Sequence, residues 1–240
     1  MLLISDQGGT ARSTYTVYLR SMGGSLPVRL GDGEAWALSP DGRFALAIHF
    51  GPQQRLVLIP TGSGETITLP RGAVEVYLHG SFLGDGRRIV LIGAESGRQM
   101  RTWIQELPSG VPRPVTPEGT LGVRSSPDGR WLAATTQDST LLLVPLDGGD
   151  AQPITRLGPG EVVIQWGGDG RTLFVKRMGT HLDVFTMAVE SGERQLWRTF
   201  EVPDPAGAEM GAFVVTPDGR SYAYSYERYL DELYLVTGLE

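Results

Sequence analysis

Cysteine is absent from the 240 residues, which excludes disulfides, thiolate nucleophiles and cysteine metal sites. Asparagine is absent too, so tight turns must rely on Asp-Gly where Asn-Gly often serves. Lysine occurs once, at Lys176, and all other basic residues are arginine, a bias that reads as codon usage. Histidine is scarce, with three residues at His49, His79 and His181. No apolar run approaches the roughly 20 residues of a membrane span, and Met1-Leu2-Leu3-Ile4 is too short for a signal peptide. The formal net charge of −6 argues against a general nucleic-acid surface, which needs a dense basic stripe. Catalytic signatures are missing as well: there is no Gly-x-Ser-x-Gly elbow, no Walker loop, no His-Glu-x-x-His and no calcium loop. The expectation is a soluble protein that is not an enzyme and holds neither cofactor nor metal.

What the chain has in quantity is glycine, at 33 residues, and a phrase that returns. Ser39-Pro40-Asp41-Gly42-Arg43 recurs as Leu83-Gly84-Asp85-Gly86-Arg87, Ser126-Pro127-Asp128-Gly129-Arg130, Gly168-Asp169-Gly170-Arg171 and Thr216-Pro217-Asp218-Gly219-Arg220. The aspartates are spaced by 44, 43, 41 and 49 residues, the period of a repeat protein built from four-stranded units. Proline presets φ for the first central position of a turn, Asp bonds its own backbone, and Gly accepts positive φ. Each copy lies between two mostly apolar runs, for example Ala35-Trp36-Ala37-Leu38 and Phe44-Ala45-Leu46-Ala47-Ile48, which is the pattern of a hairpin. Asp41, Asp85, Asp128, Asp169 and Asp218, with Gly42, Gly86, Gly129, Gly170 and Gly219, are therefore read as structural turns.

Strands are expected over 2–5, 14–20 and 28–30, then in four complete four-stranded units, then as 212–215, 222–226 and 233–236. The fold predicted is all-β, a β-propeller of six four-stranded antiparallel blades whose first and last blades are three-stranded. Residues 1–240 form one such domain. Because no turn phrase precedes the first three strands, the chain reads as a fragment of a longer polypeptide. Two unfinished terminal blades also make self-association possible. The longest irregular stretch, Glu201 to Met210, accounts for the step of 49 and is either a plain surface loop or part of a binding face.

The recurring Pro-Asp-Gly-Arg followed by an apolar strand resembles the WD40-like repeat of TolB-like six-bladed propellers. The segment from Thr216 to Tyr226, with Asp231-Glu232-Leu233-Tyr234-Leu235-Val236-Thr237-Gly238-Leu239, is similar to the C-terminus of bacterial proteins in which such a propeller follows a serine/threonine kinase or a winged-helix domain. The resemblance implies a sensing or docking module of a signalling protein. It implies a protein or peptide ligand and transfers no catalytic residue. The compartment would be cytoplasmic for the chain as written, or periplasmic if attached to a membrane kinase. Related propellers also gate peptidases, so a gate without its enzyme is the alternative, as is a hydrolase or lyase using Glu75, His79 and Glu161.

Alignment on the five turns places Ala37, Ser81, Arg124, Gln165 and Val214 at one position of the innermost strands. Arg124, Gln165, His79 and Ser81 are the candidate ligand-binding residues at the mouth of a central channel; a ligand, a buried water or an interblade salt bridge could satisfy the first two. Trp36, Val123, Ile164 and Phe213 share the neighbouring position and are read as core. His181-x-Asp183 places two potential metal ligands on one strand face, without a visible third. Tyr222, Tyr224 and Tyr226 alternate with small residues, which suits packing against a neighbouring blade or, less simply, a stacking platform.

Overall fold

The computed structural model describes residues 2–7, 15–21, 23–179, 181–202 and 207–228. Among these, 21 strands form six antiparallel sheets, and there is no helix. The first sheet holds β1 (Leu2–Gln7), β2 (Tyr15–Arg20) and β3 (Val28–Asp32). The second holds β4 (Glu34–Leu38), β5 (Phe44–His49), β6 (Arg55–Pro60) and β7 (Ile67–Thr68). The third holds β8 (Val76–Phe82), β9 (Arg88–Ala94), β10 (Arg101–Glu106) and β11 (Arg113–Pro114). The fourth holds β12 (Leu121–Ser125), β13 (Trp131–Thr135), β14 (Thr140–Pro145) and β15 (Gln152–Arg156). The fifth holds β16 (Glu161–Trp166), β17 (Thr172–Met178), β18 (Leu182–Ala188) and β19 (Arg194–Phe200). The sixth pairs β20 (Ala208–Val215) with β21 (Tyr222–Arg228). Every sheet takes consecutive strands in spatial order, the meander of a propeller blade.

The expected six-blade, all-β architecture is thus present, with a three-stranded first sheet. The expected strand at 233–236 lies outside the described residues. One boundary is corrected: β20 begins at Ala208, so its hairpin with β21 absorbs residues expected to be loop, Met210 pairing with Tyr226.

The chain divides into two compact units, Met1–Arg156 and Leu157–Glu240. In the first, the apolar strands are buried on both faces, and alternation sends neighbouring residues to different neighbours. On β5, Ala45 and Ala47 pack with Val17, Val57 and Ile59, while Leu46 and Ile48 pack with Leu58, Tyr77, Leu91 and Trp103. On β9, Ile89 and Leu91 join that second cluster, while Val90 turns the other way onto Ile104, Leu132 and Val144. Each fully buried Leu or Ile contributes about 1.5–3 kcal/mol. Continuous hydrophobic strands are therefore needed wherever one sheet lies between two others. In the second unit Ile164, Phe174, Leu182, Val184 and Phe200 pack with Phe213 and Val215.

The five repeated turns share one geometry. Gly42, Gly86, Gly129, Gly170 and Gly219 have φ of 71°, 65°, 69°, 66° and 67°, a region that a side chain rarely tolerates. In each, the glycine N–H donates to the carbonyl three residues earlier, as Gly42 does to Ser39 at 2.8 Å. The aspartate then accepts from the backbone two residues on: Asp41 from Arg43 at 3.0 Å, Asp128 from Arg130 at 3.1 Å, Asp218 from Arg220 at 3.0 Å. Where the phrase opens on a hydroxyl, that hydroxyl donates to the aspartate and accepts the N–H five residues on, at the entry to the next strand. Ser39 takes Phe44 at 2.9 Å, Ser126 takes Trp131 at 3.0 Å and Thr216 takes Ser221 at 3.0 Å. The other two copies have Leu83 and Gly167 there. In them the carboxylate reaches one residue further, Asp85 accepting from Arg88 at 3.1 Å and Asp169 from Thr172 at 3.0 Å. A sixth example joins β13 to β14, where Thr136 donates to Asp138 and Ser139 takes φ of 68° in place of glycine.

Candidate functional site

Register bears out the alignment of the inner strands. Ala37, Ser81, Arg124, Gln165 and Val214 pair with Leu46, Val90, Ala133, Phe174 and Ala223, each five residues beyond the turn aspartate. The sequence did not reveal that every one of these strands is also bulged. Pairing slips between Ala35 and Ala37, Tyr77 and His79, Leu121 and Arg124, Val163 and Gln165, and Met210 and Phe213. A bulge bends its strand and re-aims the side chains around it, and bulges are frequent beside functional sites. Hydrophobic pattern alone could not show them, because one extra residue in a short strand leaves the apolar count unchanged.

Three inner strands of the first unit bring together the residues that matter there. His79 on β8 has its ring 5.7 Å from Trp36 on β4. Gly80 makes room for that tryptophan: a Cβ at Gly80 would lie 3.2 Å from both the Trp36 ring and Leu46. Burial, reinforced by the charge of Arg124 on β12, lowers the His79 pKa to about 4, so the imidazole is neutral at physiological pH. Arg124 is itself desolvated enough to be lowered from the ordinary arginine value. Ser81 is half-buried, and its hydroxyl makes one long contact, 3.5 Å to the Phe82 carbonyl. Gln165 lies half-buried on β16 of the second unit. The first unit therefore places a buried cation within electrostatic reach of an imidazole that lies against an indole.

The acidic candidates are differently engaged. Glu161, at the start of β16, is ion-paired with Arg194 and accepts the Gly158 N–H at 2.7 Å. Asp183 is buried and held by Arg177 at 2.8 Å and Thr199 at 2.7 Å, with His181 Nε2 at 3.5 Å. The Arg177 hydrogen bond, then that from Thr199, keeps its carboxyl below the usual range. Glu75 is exposed. Among the described residues, no group of three or more His, Asp or Glu is placed to hold a metal ion.

The tyrosine row packs. Tyr222 meets Phe213, Phe200 and Trp197 with centroids 6.2, 4.9 and 6.2 Å away, and Tyr224 lies 5.7 Å from Phe200. Arg198 covers Trp197 and Tyr222 at 5.2 and 5.1 Å and donates to the Tyr222 hydroxyl at 3.0 Å. Tyr226 is nearly half exposed.

Consecutive four-stranded meanders, each opened by a bulged inner strand, define a β-propeller fold. Over 92% of this chain the fold is similar to TolB from Acinetobacter baumannii, with a TM-score of 0.66 and 15% identity. It is similar over 85% to a putative TolB from Agrobacterium tumefaciens, with a TM-score of 0.65, 16% identity and 74% of that chain covered. It is also similar over 85% to an oligogalacturonate lyase in complex with manganese, with a TM-score of 0.61, 15% identity and 62% of that chain covered. The chain spans 61% of the length of the Acinetobacter protein. No protein-family model matches the sequence, and no curated protein matches it either. Among the described residues no helix is long and apolar enough to cross a membrane.

Proposed function

We propose that the chain is a non-enzymatic binding module, the sensor or scaffold part of a bacterial signalling protein, and that it takes an acidic peptide or protein segment at the inner strands of its first unit. The observation that carries this reading is the desolvated Arg124 guanidinium acting on a neutral His79, whose ring lies against Trp36. A cation withdrawn from water interacts strongly with an incoming anion, and a carboxylate suits its planar fork. The imidazole adds a hydrogen bond without adding charge. The engagement of Glu161 and Asp183 by arginines supports binding over acid–base catalysis.

The test is an NMR titration with tetraglutamate and tetralysine peptides. Tetraglutamate is expected to shift the Arg124 Nε–H and His79 ring signals, with affinity reduced about tenfold or more by Arg124→Gln. Equal binding of tetralysine, or an unaffected Arg124→Gln variant, would sink the reading. Self-association through the terminal sheets is a separate part of the proposal, read from the solution mass against the 26.0 kDa of one chain.

A further inference from the structure

Away from the inner strands, the outer part of the third sheet carries a cavity of about 270 Å³ facing the turn after β14. Its apolar surface comes from Ile104, which is buried, and from Val111, which is 63% exposed. Four charged side chains line the rest: Arg88, Glu106, Arg113 and Asp147. Their formal charges cancel, which disfavours a simple anion or a simple cation. Two of the four are already occupied, since Arg88 binds Asp85 at 2.7 Å and approaches Asp147 at 3.6 Å. Arg113 is exposed and uses one of its five N–H donors in a 3.3 Å hydrogen bond from Nη2 to the Leu146 carbonyl. Among the described residues, Glu106 and Arg113 form no ion pair within 4.0 Å, with each other or with a third group, although both line one small space.

Opposite charges that share a cavity without closing on each other leave room for a ligand carrying both signs. We propose that this cavity binds a small zwitterion of the amino-acid type, with its carboxylate on Arg113, its ammonium on Glu106 and an apolar side chain over Ile104 and Val111. The pairing follows from chemistry: a guanidinium takes a carboxylate through two parallel N–H bonds, and a carboxylate takes an ammonium. The volume accommodates a single amino acid. The site lies on β9, β10 and β11 with the turn after β14, and it does not depend on the role proposed for Arg124.

The experiment is calorimetry of the whole chain with the standard free amino acids. For the tightest binder it is repeated with the N-acetylated and the C-terminal amide forms, each of which removes one charge. Saturable binding of an apolar amino acid is expected, weakened about tenfold or more by either block. Glu106→Gln should lose discrimination against the N-acetylated form, and Arg113→Gln discrimination against the amide, with circular dichroism showing that both variants fold. Absence of saturable binding by any amino acid, or equal affinity for blocked and unblocked forms, overturns the proposal.

Discussion

A single aspartate per repeat carries most of the turn, and the two kinds of turn are not equally robust. In the copies that open on serine or threonine, the hydroxyl still takes the next strand's N–H if the carboxylate is removed. At Asp85 no hydroxyl is present, and the carboxylate alone accepts from Arg87 and Arg88. Asp85→Ala is therefore expected to cost about 1 kcal/mol more than Asp128→Ala, compared by urea denaturation of the two variants. Equal losses would mean that the carboxylate's longer reach adds nothing. The turn residues were legible because Pro, Asp and Gly each have one conformational use. The environment of His79 was not legible, since the Trp36 ring beside it and the Arg124 charge that acts on it lie on strands more than forty residues away in sequence.

Between neighbouring sheets of the first unit, the apolar contacts are supplemented by polar ones, among them a staple at a fully buried threonine. Thr102 on β10 is fully buried, and its hydroxyl donates to the Gly122 carbonyl at 3.0 Å and accepts the Gly122 N–H at 2.9 Å. Gly122 lies in the bulge of β12, and a Cβ there would come within 2.2 Å of the Ala133 carbonyl oxygen. Thr102→Val keeps the shape but leaves both groups of Gly122 without that partner, and a loss of about 2 kcal/mol is expected in urea denaturation. Thr102→Ser should retain most of the stability; a valine variant as stable as the parent would show that the staple is dispensable. Strand positions could be read from the alternation of apolar runs between turns. The bulges could not, because a bulge is a relation between two strands and neither strand's own pattern records it.

At the scale of the whole molecule, acid should act in two stages. The folded-state pKa of His79, about 4, lies below the ordinary value of 6.5, so the unfolded chain binds that proton more readily. Stability is complete above pH 6.5 and falls as pH drops towards 4, by up to about 3 kcal/mol. The turn aspartates act lower. Asp128 is held below 3.8 by its Ser126 hydrogen bond and then the Arg130 N–H; at Asp85 burial opposes, but the Arg87 N–H and the Arg88 side chain outweigh it. Their contribution is present above 3.8 and is lost only as pH falls further. Chemical denaturation at pH 7, 5 and 3 should show both stages, with the first absent in His79→Gln. A parent protein as stable at pH 5 as at pH 7 would contradict the first stage. The global architecture was legible from the 41–49 residue spacing of the repeats. The Arg88–Glu106–Arg113–Asp147 cavity was not, because it is assembled from two sheets and its charges carry no motif.

The repeated hairpin also bears on the order of events in folding. Each turn satisfies its carboxylate, its glycine N–H and an N–H at the entry to the following strand within five or six residues, as Ser39 to Phe44 do. Contacts this local form on the microsecond scale of an isolated hairpin and close only short loops. Packing one sheet on the next involves separations of about forty residues and comes later. The chain therefore carries five early folding seeds, one per inner hairpin, and the slow step lies in stacking the sheets they start.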